Sequence, residues 1–270
     1  TKKSSIELEQ REAALAFNKG AVSWFRGDMN QTIEYGKYSL RLSEKLGNKP
    51  QIVESLYIIS MGYSFLKKDL DTALEYAERC QVLAEEINHQ QMISFNLQNL
   101  GTINTFKGEF EKALMYAEQC LPIFEETNNL QWISVTLNSI SIVYLHQGKF
   151  DLAFKYFKKS LKLARETGNN WFIAISLGNI IDALRLKGDI DRAQKYLEEL
   201  KQINDQEDNK WIETMYLVTK AQMLKESPRL HDRAKAEEIL KEVIQREIIP
   251  NLDINMDAMI SLCELLLDEL

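Results

Sequence analysis

Residues 108–117 read Gly-Glu-Phe-Glu-Lys-Ala-Leu-Met-Tyr-Ala. The pattern returns at 148–157 as Gly-Lys-Phe-Asp-Leu-Ala-Phe-Lys-Tyr-Phe and at 188–197 as Gly-Asp-Ile-Asp-Arg-Ala-Gln-Lys-Tyr-Leu. It is present earlier, at 68–77, as Lys-Asp-Leu-Asp-Thr-Ala-Leu-Glu-Tyr-Ala, and a first copy runs from Gly27 to Tyr35. Ala73, Ala113, Ala153 and Ala193 are spaced by 40, as are Tyr76, Tyr116, Tyr156 and Tyr196. A fixed period of this length is the mark of stacked helical repeats, in which each unit buries its apolar face only against its neighbours.

Each column has a physical reason. Gly27, Gly108, Gly148 and Gly188 fall between two helical patterns, where a positive φ lets the chain reverse. Met29, Leu70, Phe110, Phe150 and Ile190 follow as apolar anchors. The alanines let two helices approach closely. The tyrosines share their face, which continues through Leu42, Leu83, Ile123, Leu163 and Ile203. The second helix ends on a column of Gly47, Asn88, Asn128, Gly168 and Asp208, residue types that tolerate a left-handed C-cap to different degrees. The first helix carries a core stripe: Leu97, Leu100, Gly101 and Asn104 align with Leu137, Ile140, Ser141 and Tyr144, and with Leu177, Ile180, Ile181 and Leu184. In the second repeat the stripe reads Ile58, Met61, Gly62 and Phe65, one residue out of phase. That predicts a longer loop around Lys49-Pro50 and a shorter turn at Lys67-Lys68-Asp69, with Pro50 near a helix start.

This arrangement of Leu-Gly, Gly, Ala, Tyr and Leu resembles the tetratricopeptide repeat, in its 40-residue, longer-helix variant. The resemblance is clear over 5–205 and weaker over 208–270, where 211–225 reads as a first helix, 234–246 as its partner after a turn at Ser227-Pro228, and 256–270 as a further first helix. It departs from the family pattern at Thr32, which stands in the alanine column, and at Lys68, which stands in the glycine column. The implied fold is all-α: a right-handed superhelical solenoid of antiparallel helix pairs, about 6.5 repeats, in a single domain spanning 1–270.

Composition agrees. Four prolines and eleven glycines in 270 residues leave room for long helices. The net charge of −7, with no Lys/Arg cluster free of acids, argues against nucleic acid as a partner. No apolar run approaches the ~18 residues of a membrane span. No signal peptide is visible at Thr1-Lys2-Lys3-Ser4-Ser5, and three cysteines without metal spacing suit a reducing, cytoplasmic setting. The segment 259–267 is apolar over much of its circumference, so the chain is expected to continue beyond Leu270 or to self-associate through that end.

No nucleophile elbow, phosphate loop or metal motif is present, so no enzyme and no cofactor is expected. His89, His146 and His231 share no register and read as surface residues. Cys80 and Cys120 fill a small-residue column with Ser39 and Ser160, and Cys263 is expected in the core. The tyrosine column reads as packing, as do Trp171 and Trp211, though rim anchors are the alternative for the tryptophans. Glu85-Glu86 and Glu198-Glu199 read as solvated faces.

The resemblance implies a concave wall lined by first helices that grips a protein or peptide. Carried over position by position, it points to Ser60, Tyr63, Asn99, Thr102, Ser139, His146, Asn179, Asp182, Arg185, Thr219 and Gln222. Amides suit this work because each can donate to and accept from a peptide backbone. The expected function is a scaffold or signalling adaptor. The alternative is a sensor region that binds a small peptide or metabolite and controls an attached effector.

Overall fold

The computed structural model describes residues 2–66, 69–245 and 252–267. Thirteen helices and no strand occur among them: α1 (Lys2–Phe25), α2 (Met29–Leu46), α3 (Lys49–Leu66), α4 (Leu70–Glu86), α5 (Gln90–Phe106), α6 (Phe110–Glu126), α7 (Leu130–His146), α8 (Phe150–Thr167), α9 (Asn170–Leu186), α10 (Ile190–Gln206), α11 (Lys210–Lys225), α12 (Leu230–Gln245) and α13 (Leu252–Leu267). The all-α fold of consecutive helix hairpins is the one the repeat predicts. Two compact units are distinguished, Thr1–Thr127 and Asn128–Leu270.

The hairpin is written into the residues at its ends. After the first helix the chain turns on Gly27, Gly108, Gly148 and Gly188, with φ of 80°, 77°, 71° and 82°. After the second it turns on Gly47, Asn88, Asn128 and Gly168, with φ of 65°, 54°, 49° and 66°. Asn88 and Asn128 are the non-glycines with positive φ among the described residues, so Asp208 departs from its expected column. There the α10 cap, Glu207, is extended (φ −109°, ψ 129°). First helices open on side-chain caps: Asn169 accepts from the Trp171 N–H at 3.1 Å, and Asn209 from those of Trp211 and Ile212 at 2.9 and 3.3 Å.

The small-residue column works as expected. Ala73, Ala113, Ala153 and Ala193 are buried, as are Cys80, Cys120, Ser39 and Ser160 one to two turns further along each second helix. Thr32 fits the alanine column by donating its hydroxyl to the Asp28 carbonyl at 2.8 Å. In the first unit Leu56, Ile59, Cys80 and Ala84 pack together, and in the second Phe157, Leu177, Ile180 and Leu200 do so. The repeated tyrosines are half-buried packing residues; Tyr63 stacks on Tyr76 with ring centroids 6.0 Å apart.

Three expectations need correction. The loop before α3 is only Gly47-Asn48, not a lengthened one, with Pro50 in the first turn of the helix. The register of α3 is 41 residues from α5 (Lys49 to Gln90 at their starts), not 39. Ser60 donates to the Ala73 carbonyl at 2.8 Å, and a Cβ on Gly101 would lie 3.4 Å from the Ala113 carbonyl. Ser60 is therefore the counterpart of Gly101. Gly62 serves a different contact, against α2, where a Cβ would meet Ile33 Cγ1 at 2.6 Å. The proposed short turn at Lys67-Lys68-Asp69 lies outside the described residues except for Asp69, which caps α4. Third, Cys263 is exposed, not in the core. In the weaker repeats, α12 begins four residues before the expected position and α13 also begins earlier; residues 246 and 268–270 lie outside the described ones.

Candidate functional site

Within each unit the first helices of successive hairpins touch: α1 with α3 and α3 with α5, then α7 with α9, α9 with α11 and α11 with α13. Among the described residues, the backbones of successive second helices within a unit stay further apart and are bridged by long side chains, Arg79 of α4 to Glu44 of α2 at 3.2 Å and Arg165 of α8 to Glu199 of α10 at 2.6 Å. Each unit therefore curves with its first helices inside, and these carry all eleven candidate residues.

In the first unit two of the four candidates, Ser60 and Asn99, are engaged with each other. Asn99 Nδ2 donates to Ser60 Oγ at 2.8 Å, and the Ser64 hydroxyl donates to Asn99 Oδ1 at 3.4 Å. Ser60 and Asn99 are both buried. The sequence placed them on an open wall; the structure makes them a hydrogen-bonded step between α3 and α5, because a polar side chain buried there requires a partner. Tyr63 leans toward the second helices, stacking on Tyr76 and accepting from Lys37 Nζ at 2.6 Å. That bond holds the Lys37 pKa above its ordinary value. Thr102 is half-buried and accepts from Gln98 Nε2 at 3.1 Å.

In the second unit the wall is more open. Asn179 Nδ2 donates to Asn138 Oδ1 at 3.1 Å, joining α9 to α7. Gln222 Nε2 donates to Ser261 Oγ at 3.3 Å, joining α11 to α13. Ser139 is half-buried and returns its hydroxyl to the Val135 carbonyl; Thr219 is buried; His146 is exposed in the last turn of α7. Arg185 reaches across to Glu226 at 3.1 Å and lies 3.7 Å from Asp182, while Lys225 pairs with Glu264. The cations are the withdrawn members. The side chains of Arg185 and Lys225 are 16% and 12% exposed, against 38%, 44% and 56% for Asp182, Glu226 and Glu264. Glu226 and Glu264 thus show more of themselves to solvent than the cations they pair with, while Asp182 keeps its Oδ1 buried.

Sequence reasoning missed Asn138, Ser261, Glu226 and the Lys225–Glu264 pair. Its search followed columns spaced by 40, whereas these cross-helix pairs are offset from that spacing: Asn138 and Asn179 are 41 apart, Gln222 and Ser261 39. An amide or ion pair one residue off the period is the signal that would have found them.

The three histidines do not converge. His89 caps α5, accepting from the Met92 N–H at 3.4 Å; His146 and His231 are exposed. Among the described residues no group of three or more His, Cys, Asp or Glu is placed to hold a metal ion. Burial pushes the Cys80 thiol up to about 12. Trp171 and Trp211 lie 5.3 Å apart, half-buried against the second unit's core. No helix among the described residues is long and apolar enough to cross a membrane.

This is the architecture of a tetratricopeptide-type helical repeat. Residues 132–206, spanning most of α7 through α10, match the family model described as tetratricopeptide repeat, so these two hairpins are such repeats. Solved structures share the fold along most of the chain. A Rap protein complexed with competence and sporulation factor matches with a TM-score of 0.73 at 13% identity, covering 96% of this chain and 75% of that one. NprR in complex with its cognate peptide NprX matches at 0.67 and 18%, covering 94% and 71%. A signal transduction ATPase with numerous domains from Pyrococcus horikoshii, which has a tetratricopeptide repeat sensor, matches at 0.58 and 16%, covering 97% and 41%. No curated protein sequence matches the chain.

Proposed function

We propose that this chain is a non-catalytic module that binds a peptide or an extended protein segment on the wall of first helices, and that the second unit supplies the main contacts. The observation that carries this reading is the polar wall built by Asn138, Asn179, Asp182, Arg185, Gln222 and Glu226. Its amides offer donors and acceptors to a peptide backbone. Its outward carboxylates favour a segment with basic side chains, and the withdrawal of Arg185 and Lys225 disfavours capture of an acidic chain terminus.

The sensor reading is favoured by a separate observation. Two proteins of like fold were solved with a peptide or a named factor bound, and a third has a tetratricopeptide repeat sensor. A repeat stack converts small rotations between neighbouring hairpins into a larger change, which suits control of an attached effector.

The test is selection of short random peptides from a display library on the immobilised chain, followed by calorimetry of those enriched. Basic peptides should dominate, and Asn179→Ala with Asp182→Ala should weaken binding by at least about tenfold, or ~1.4 kcal/mol. Failure to enrich any peptide, or binding that ignores both substitutions, refutes the proposal.

A further inference from the structure

One second helix departs from the others in its charge. Residues 152–165 of α8 hold five cations, Lys155, Lys158, Lys159, Lys162 and Arg165, and no acid, in a chain of net charge −7. The expectation that every basic cluster is interleaved with acids fails here. The matching stretch of α4, 72–85, holds one cation and three acids; that of α6, 112–125, one and two; that of α10, 192–205, three and three. The same columns fold with either charge, so the repeat does not require this row.

All five are exposed, and their spacing of three and four places them along one face of α8 for ~15 Å. Two have acidic partners: Arg165 meets Glu199 of α10 at 2.6 Å, and Lys162 lies 3.9 Å from Glu166. Among the described residues Lys155, Lys158 and Lys159 have none. Lys158 and Lys159 lie over Phe154 and Tyr156 of their own helix, at 5.7 and 5.4 Å from the ring centroids. Arg192 of α10 stacks on the same Phe154 at 4.5 Å and adds a cation at the edge of the row. Acids bound it. Asp151, paired with Lys187, stands at one end and Glu166 at the other, and Asp191 and Glu198 are exposed on α10.

We propose that this face of α8 docks a short acidic stretch of a partner protein, apart from the wall of first helices. Charge sets the chemistry: a row of uncompensated lysines attracts carboxylates. The form follows from what the row lacks. No large apolar side chain of α8 is exposed, so the face offers no seam to an amphipathic helix and suits an extended, charged segment. The length follows from its span, which about five extended residues cover. The bounding acids select against longer polyanions. A nucleic-acid strand or a lipid surface runs past the ends of the row and brings phosphates against Asp151, Glu166, Asp191 and Glu198. The side chains agree, because forked recognition of phosphate favours Arg, whereas four of the five cations are Lys, which acts as a point charge.

The probe is a labelled peptide of six Glu flanked by Gly and Ser, with six Gln in its control. Anisotropy on the full chain at low ionic strength should show the Glu peptide binding at least about tenfold more tightly than the Gln peptide. Lys155→Glu with Lys159→Glu should weaken the Glu peptide by at least about tenfold. Lys112→Glu with Lys235→Glu, exposed sites elsewhere, changes the net charge equally and should weaken it by less than about threefold. All four sites are exposed, so circular dichroism should be unchanged. Asn179→Ala with Asp182→Ala should leave this binding intact, which separates it from the wall. Absence of binding, equal weakening by the two charge-reversed variants, or loss with the wall variant overturns the proposal. Tighter binding to single-stranded DNA or to phosphatidylserine vesicles, abolished by Lys155→Glu with Lys159→Glu, assigns the row to phosphate and equally overturns it. So does a dimer of the chain in sedimentation that this variant dissolves, which assigns the row to a second copy.

Discussion

Gly62→Ala and Gly101→Ala should move stability in opposite directions. Both glycines follow a large apolar residue in a first helix, as Met61-Gly62 and Leu100-Gly101, and the 39-residue alignment makes them equivalent. In the structure they are not. A Cβ on Gly62 would sit 2.6 Å from Ile33 Cγ1 and 3.3 Å from Cδ1. Cγ1 is bonded to the branched Cβ of a buried residue, so it cannot swing aside; α2 and α3 must separate. Overpacking of this kind costs ~1–3 kcal/mol, and the better helix propensity of Ala returns up to ~1, leaving a net loss of about 1 kcal/mol. A Cβ on Gly101 meets only the Ala113 carbonyl at 3.4 Å and Tyr116 Cβ at 3.6 Å, ordinary contacts, and Ser60 already carries a Cβ in that column. Its substitution should be neutral or stabilising by up to ~1 kcal/mol. Urea denaturation followed by circular dichroism measures both. A third variant makes the cause specific: in the Gly62→Ala background, Ile33→Ala should cost less than it does alone, because the clash goes with the side chain. Equal responses at the two glycines, or full additivity with Ile33→Ala, would refute the 41-residue register.

Ser60→Ala and Asn99→Ala should each cost ~1–3 kcal/mol by leaving a buried polar partner, and the double variant less than their sum, as measured by a denaturation cycle. Asn209→Ala removes the cap of α11 and should cost ~1 kcal/mol by the same assay. Burial raises the Glu54 pKa, so the folded state binds that proton more tightly than the unfolded state. Stability from this group therefore rises as pH falls through the raised value, and Glu54→Gln should stabilise the protein at neutral pH with the gain vanishing below the ordinary carboxylate range, seen in melts across pH. With Ellman's reagent the native protein should show one fast thiol, the exposed Cys263, because burial withholds Cys80 and Cys120; three should react in denaturant.

The polar wall of the second unit was legible in part. The wall candidates Asn179, Asp182, Arg185 and Gln222 were reachable from the repeat; their partners Asn138, Glu226 and Ser261 were not, because cross-helix pairing depends on the tilt between neighbouring first helices.

The letters alone determined the hairpin, because its turns need residues that adopt positive φ and its closest approaches need small ones. Gly27, Asn88, Gly148 and the Ala73 column are local requirements, and local requirements are written in sequence. The tertiary structure decided the phase of α3 and the fate of Ser60 and Asn99. A helix presents several apolar faces that a linear pattern cannot rank, and only contact with Ile33 and with the Ala73 carbonyl chooses among them.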